Sequence, residues 1–202
     1  MNTTAEDSGA ELHFMADGLE LVGWLHRPAL QTFPAVIGVH GLLSDARSPK
    51  QRSLAEACCQ AGIGYFRFDH RGCGQSQGIM AATTLEARIC DLLAAAERVR
   101  ETVGSNGPIG LFGSSLGASV CIAAAQYLNP AAMVLYAGPL KSRTIGAEVA
   151  AAQPRLTGLD LSFDLNDRID KLHHLLVVHG TEDEIVPRSP HCVGEGHRSP
   201  RR

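Results

Sequence analysis

Five stretches of this chain are apolar almost without interruption: Phe33-Pro34-Ala35-Val36-Ile37-Gly38-Val39-His40, then residues 63–68, 109–112, 132–137 and 175–178. They do not alternate apolar with polar side chains, as a strand with one wet face would. Such runs suit strands covered on both faces, and therefore a mostly parallel sheet. Helical patterns separate them. Ser48-Pro49 opens one that Gly62 ends. Thr83 and Glu86 have the spacing of a capping box ahead of a longer helix, on which Leu85, Ile89, Leu92, Leu93, Ala96, Val99 and Val103 share a face. Asp91, on the same helix, reads as a solvated or helix-bridging acid. Before all of these, residues 11–16 and 19–26 flank Asp17-Gly18, the signature of a β-hairpin. The expected fold is α/β: a mostly parallel sheet with an N-terminal antiparallel hairpin, right-handed crossovers, and helices on both faces.

Composition narrows the function. The 202 residues are 45% hydrophobic and 19% charged with a formal charge of −3, enough for one domain with a substantial core. The balance gives no electrostatic reason to expect nucleic acid or an anionic membrane as partner. No apolar run approaches the ~18 residues that span a bilayer, and the polar, acidic start at residues 1–7 lacks the pattern of a signal peptide. Six cysteines are present, Cys58 and Cys59 adjacent and the rest scattered without metal-ligand spacing. They are expected to be buried thiols of a reducing compartment, which makes the expected location cytoplasmic.

Chemistry concentrates at residues 108–117, Pro-Ile-Gly-Leu-Phe-Gly-Ser-Ser-Leu-Gly. A buried strand runs into Gly113-Ser114-Ser115-Leu116-Gly117 and at once into the Ala-rich helix that follows. Gly-x-Ser-x-Gly between strand and helix describes a nucleophile elbow. The turn is so sharp that a side chain at 113 or 117 would strike the adjoining strand or helix, and Ser115 is left at its tip. A serine at this place could instead cap the helix. Ser114, in the first variable position, should point elsewhere.

Three further motifs follow the same order along the chain: His40-Gly41, Phe68-Asp69-His70-Arg71-Gly72-Cys73-Gly74-Gln75-Ser76, and His179-Gly180-Thr181-Glu182-Asp183-Glu184-Ile185-Val186-Pro187. With the elbow, they resemble the α/β-hydrolase superfamily over about residues 10–187, most closely its small esterase-like and serine-aminopeptidase-like members. The resemblance implies Ser115 as nucleophile and the backbone N–H groups of Leu42 and Leu116 as the oxyanion hole. It implies Asp183 as the triad acid, ahead of Glu182 and Glu184 beside it and of Asp160, Asp164, Asp167 and Asp170 on the preceding insertion. Asp69 would brace the turn around Gly72 and Gly74, and His40 and His179 would be structural.

Residues 139–173 form an insertion that would act as a small cap, with a helix over Ile145–Ala152 and an irregular stretch from Pro154 to Asp167. After Pro187 the composition changes abruptly, and residues 188–202 offer Val193 as their one aliphatic side chain. The family order is serine, acid, then histidine after a further helix and strand. The expectation is a C-terminally incomplete fold and a disordered tail, with His197 taking the histidine's place in chain order. An unpaired edge at the strand near residue 177 would favour self-association. The implied function is a serine hydrolase that cleaves carboxylic esters of small molecules through an acyl-enzyme, with no metal or organic cofactor. Peptide or thioester cleavage on the same scaffold remains open. So does a non-catalytic α/β-hydrolase-like protein, if no histidine completes the triad. Ser115 at the elbow excludes the Asp of a dehalogenase and the Cys of a dienelactone hydrolase, and His40-Gly41-Leu42-Leu43-Ser44 is no phosphate loop.

Overall fold

A computed structural model of the chain describes residues 9–103, 107–142, 159, 161–183 and 186. Among the described residues seven strands form one sheet in the order β1-β2-β4-β3-β5-β6-β7. β1 (Ala10–Ala16) and β2 (Leu19–His26) are the antiparallel hairpin, closed by Asp17 and Gly18, both at positive φ. β2 continues antiparallel to β4 (Gly64–Phe68). From there every pairing is parallel: β4 with β3 (Ala35–Val39), β3 with β5 (Ile109–Ser114), β5 with β6 (Ala132–Tyr136), and β6 with β7 (Leu175–Val178). The apolar runs read from sequence are these parallel strands, offset by a residue or two at some ends.

The period of two along each strand assigns the faces. Phe66, Phe68, Ile37, Leu111, Met133 and Leu135 enter the main core together with α2 (Leu85–Val103) and α3 (Leu116–Leu128). Tyr65, on the opposite face, donates from its hydroxyl to Gln51 Oε1 of α1 (Pro49–Gln60) at 2.6 Å. Helices therefore cover both faces, as expected. Of the insertion, the described part includes a short helix α4 (Asn166–Ile169), a single bridge between Lys141 and Asp164, and Leu140, Leu165 and Ile169 buried in the main core. The helix expected over Ile145–Ala152, and the tail 188–202, lie outside the described residues.

Two local expectations need correction. Thr83 does not cap α2: its N–H closes a turn onto Met80 O at 3.1 Å, so it belongs to the preceding 3₁₀ turn (Met80–Ala82). The cap moves one residue on, and Thr84 Oγ1 accepts the Ala87 N–H at 3.1 Å. The cysteines are also not uniformly buried. Cys73 and Cys121 are, whereas Cys58 and Cys59 are half-buried and Cys90 is exposed.

Candidate active site

The site begins with the β5–α3 junction. Ser115 has φ 54° and ψ −127°, a region that a residue with a Cβ enters only under strain and that must be held by its surroundings. The surroundings are explicit. A Cβ on Gly117 would lie 2.2 Å from Val39 O and 2.7 Å from His40 O, and one on Gly113 would lie 2.6 Å from the Ala118 Cα and Gly117 O. These are backbone atoms of β3, of His40 just after it and of α3, with no side-chain end to swing aside. Behind the turn, all of α3's thirteen residues except Gln126 and Tyr127 are buried, so the helix cannot shift outward. The Ser115 N–H donates to Tyr136 O at 2.8 Å, and Ser115 O accepts the Ala118 N–H at 2.8 Å. Ser115 occupies the N-cap position of α3, but its hydroxyl makes no capping bond. The backbone needs of the turn are met without it.

The loop after β3 lies over the same point: a Cβ on Gly41 would sit 3.2 Å from Ser115 Cβ and 3.7 Å from its Oγ. Leu42 follows, and Leu116 opens α3, where the first N–H groups have no partner within the helix and carry the positive end of its dipole. Leu42 and Leu116 are both buried, and Met80, Leu159, Leu161 and Phe163 pack against them. An apolar cluster thus borders the elbow, partly supplied by the insertion.

His40 shapes this loop. It is buried, its Nδ1–H donates to Gly41 O at 2.7 Å, and its Nε2 accepts the His70 N–H at 3.1 Å. Both ring nitrogens are spent, and burial, with His70 and Arg88 adding to it, holds its pKa well below the usual histidine value. Asp69 has the bracing role expected of it: Oδ1 accepts the Ala46 N–H at 2.7 Å and Oδ2 the Gln75 N–H at 2.9 Å.

Asp91 contradicts its sequence reading. Its side chain is 0% exposed, and it ties the loop after β4 to α2. Oδ1 accepts from Arg71 Nε at 2.8 Å and Nη2 at 2.7 Å, while Oδ2 accepts the His70 Nδ1–H and the Arg71 N–H, each at 3.1 Å. Burial alone would raise the Asp91 carboxyl; the bonds from His70 and Arg71 outweigh it and hold the group below its usual range. The solvated and helix-bridging readings of Asp91 both give way to a tie between α2 and the loop after β4, which helical periodicity does not reveal.

Asp183 lies beyond β7, at the same carboxyl edge of the parallel strands as Ser115. Its Oδ1 accepts the Val186 N–H at 2.9 Å, and its Oδ2 is 3.6 Å from His179 Nε2. That nitrogen donates to Val186 O at 2.6 Å, which fits the packed role expected of His179. Of the other acids weighed, Asp164 pairs with Lys141 at 2.9 Å on the surface, and Asp160 and Glu184 lie outside the described residues. His197 lies outside them too. Among the described residues no cluster of His, Cys, Asp or Glu could hold a metal ion.

One feature beside the elbow has no counterpart in the sequence reading. Ser114 points away from Ser115's loop, as expected, and meets Lys50 of α1, whose Nζ donates to Ser114 Oγ at 2.9 Å.

Comparison with known proteins gives the family and the fold. Residues 31–158 match the family model for serine aminopeptidase, S33. An uncharacterized protein of Mycobacterium tuberculosis is 32% identical over 174 residues, covering 85% of this chain and 60% of the relative. A palmitoyl-protein thioesterase of mouse, ABHD10, is 35% identical over 92 residues, covering 46% and 29%. An esterase of Pyrococcus furiosus superposes with a TM-score of 0.76 at 20% identity, covering 93% of this chain and 76% of the esterase. The chain spans about 60% of the length of the mycobacterial relative and less of the thioesterase.

Proposed function

The chain belongs to the serine aminopeptidase S33 family of α/β-hydrolases, and from that premise we propose that it is a serine hydrolase acting on carboxylic esters or thioesters through an acyl-enzyme. The observation that carries the reading is Ser115's backbone, at φ 54° and ψ −127° on a strand-to-helix turn, with a hydroxyl not spent on capping. In this reading Ser115 Oγ attacks the acyl carbon as a base removes its proton. The carbonyl oxygen becomes an oxyanion facing the N–H groups of Leu42 and Leu116; one such donor is typically worth about 3–4 kcal/mol of barrier. Collapse expels the alcohol or thiol, which takes the proton from the base, and water then releases the acid by the same steps. Asp183 is the acid that orients the base, and His197 is assigned as the base on chain order. The apolar cluster of Leu42, Leu116, Met80, Leu161 and Phe163 supports an apolar acyl group near the serine. The esterase and thioesterase named among the similar proteins support the choice of bond.

Labelling with a fluorophosphonate at neutral pH tests the reading, because the probe reacts only with an activated serine. Strong labelling that vanishes in Ser115→Ala is the expected result. Labelling that survives the substitution would place the nucleophile elsewhere, and none in the unmodified chain would favour a non-catalytic member of the family.

A further inference from the structure

Three elements bring polar side chains together immediately beside the elbow. Lys50, in the first turn of α1, reaches the carboxyl edge of the sheet, where its Nζ donates to Ser114 Oγ at 2.9 Å and lies 4.0 Å from the centroid of the Tyr136 ring. Ser114 is the residue before the nucleophile, Tyr136 is its register partner on β6, and Tyr136 O accepts the Ser115 N–H. The hydrolytic chemistry uses neither Lys50 nor the Ser114 hydroxyl.

Several cations are paired with carboxylates: Arg71 with Asp17 and Asp91, Arg98 with Glu101, Lys141 with Asp164. Lys50 has no carboxylate partner among the described residues; a hydroxyl oxygen and a ring face stand in its place. A ring face and a hydroxyl compensate an ammonium less fully than a carboxylate does. Partial burial pulls the Lys50 ammonium's pKa down, the direction expected of a cation short of compensation. Ser114, accepting from Lys50, keeps its own O–H free to donate. An ammonium and a hydroxyl proton thus meet at the residue that precedes the nucleophile.

We propose that Lys50 and Ser114 form an anion subsite, so that preferred substrates carry a carboxylate or comparable anionic group close to the scissile acyl carbon. This rests on Ser115 being the nucleophile. The anion belongs either to the acyl half of the substrate or to the leaving group, and two substrate pairs separate these. In one pair the acyl chain ends in methyl or in carboxylate, as in butyrate and glutarate esters of the same alcohol. In the other a common acyl group is joined to a neutral alcohol or to its carboxylated analogue.

The readout is the ratio of kcat/KM for the charged and neutral member of each pair, in the unmodified chain and in Lys50→Met, which keeps the length of the stem. The expected result is a preference of about fivefold for the charged member of one pair, the scale of a partly exposed ion pair, which falls to parity in Lys50→Met and is partly kept in Lys50→Arg. No preference in either pair, or an equal loss on both members in Lys50→Met, overturns the proposal. Calorimetric titration of Ser115→Ala with monomethyl glutarate and with methyl butyrate needs no turnover. Monomethyl glutarate binding that adding Lys50→Met abolishes supports the subsite even if the fluorophosphonate test fails, and monomethyl glutarate binding no tighter than methyl butyrate overturns it.

Discussion

The loops that carry Ser115 and Asp183 emerge at the same edge of one sheet, yet they are built in opposite ways. Ser115 sits between β3, β5 and a helix buried on nearly every side, and a Cβ added at Gly113 or Gly117 would come within 2.6 Å of backbone atoms. Asp183 follows β7, the last strand of the sheet, whose residues alternate between half-buried and exposed. On the face shared with α1, Tyr136, Leu176 and Val178 are 42%, 56% and 40% exposed. Close packing of backbone, with two backbone hydrogen bonds at Ser115, shapes the nucleophile's half of the site, whereas the acid's half is shaped by a few hydrogen bonds among Asp183, Val186 and His179. The attacking group therefore depends on packing already complete in the described core, and the proton-handling group on a thinner layer of structure.

The sharpest way to break this contrast is at Gly117. A methyl group there meets Val39 O, His40 O and the Val39 carbonyl carbon, all backbone. Gly117→Ala is expected to cost about 3 kcal/mol or more in urea unfolding, the upper end of overpacking penalties, and to remove fluorophosphonate labelling of whatever remains folded. A cost under 1 kcal/mol with labelling intact would mean that the turn is softer than its contacts imply.

Next in size is the acid sensitivity of the layer behind the oxyanion loop. His70 is fully buried; burial, with the Arg88 charge beside it, lowers its pKa to about 4 against the pull of Asp91. His40, 5.0 Å away ring to ring, is lowered well below its usual value as well. A folded-state pKa below the unfolded one means that the unfolded chain takes up protons first. Stability should then fall as pH drops from about 6.5 to about 4, by roughly 3 kcal/mol for His70 alone, since one unit is worth about 1.4 kcal/mol. Unfolding measured at several pH values checks the slope, and His70→Asn should flatten it. Equal slopes in the two proteins would show that His70 is protonated in the fold after all.

The same division explains what could be read from sequence. The elbow was legible because its required residues fall within one pentapeptide: Gly113 is required by atoms of the turn, and Gly117 by the backbone of β3 and His40 beside it. The parallel strands were legible from runs covered on both faces, although among the described residues the α1 face of β6 and β7 is half-buried to exposed. Asp69 was placed correctly through a motif whose turn it braces. Asp91 and the contact between Lys50 and Ser114 were not legible. The latter two stand 64 positions apart, and no periodicity links a lysine in the first turn of one helix to a hydroxyl at the end of another strand. The α2 cap was misplaced by one residue because Thr83 and Thr84 are equally good caps, and the preceding 3₁₀ turn made the choice.

The smallest expected effect lies on the β7 side and tests the contrast from its weaker end. Leu176 points to the α1 face and is 56% exposed, so Leu176→Thr removes little buried apolar surface and places a β-branched residue in a strand, where it is well suited. The change in unfolding free energy should stay within about 0.5 kcal/mol. Leu135, on the α3 face of β6 and 2% exposed, provides the internal reference: Leu135→Ala should cost about 2–5 kcal/mol through lost contacts and a cavity. Should Leu176→Thr instead cost about 2 kcal/mol, as buried leucines do, this face must be covered in solution. The acid's loop would then rest on a second packed layer, and the two halves of the site would be alike in construction.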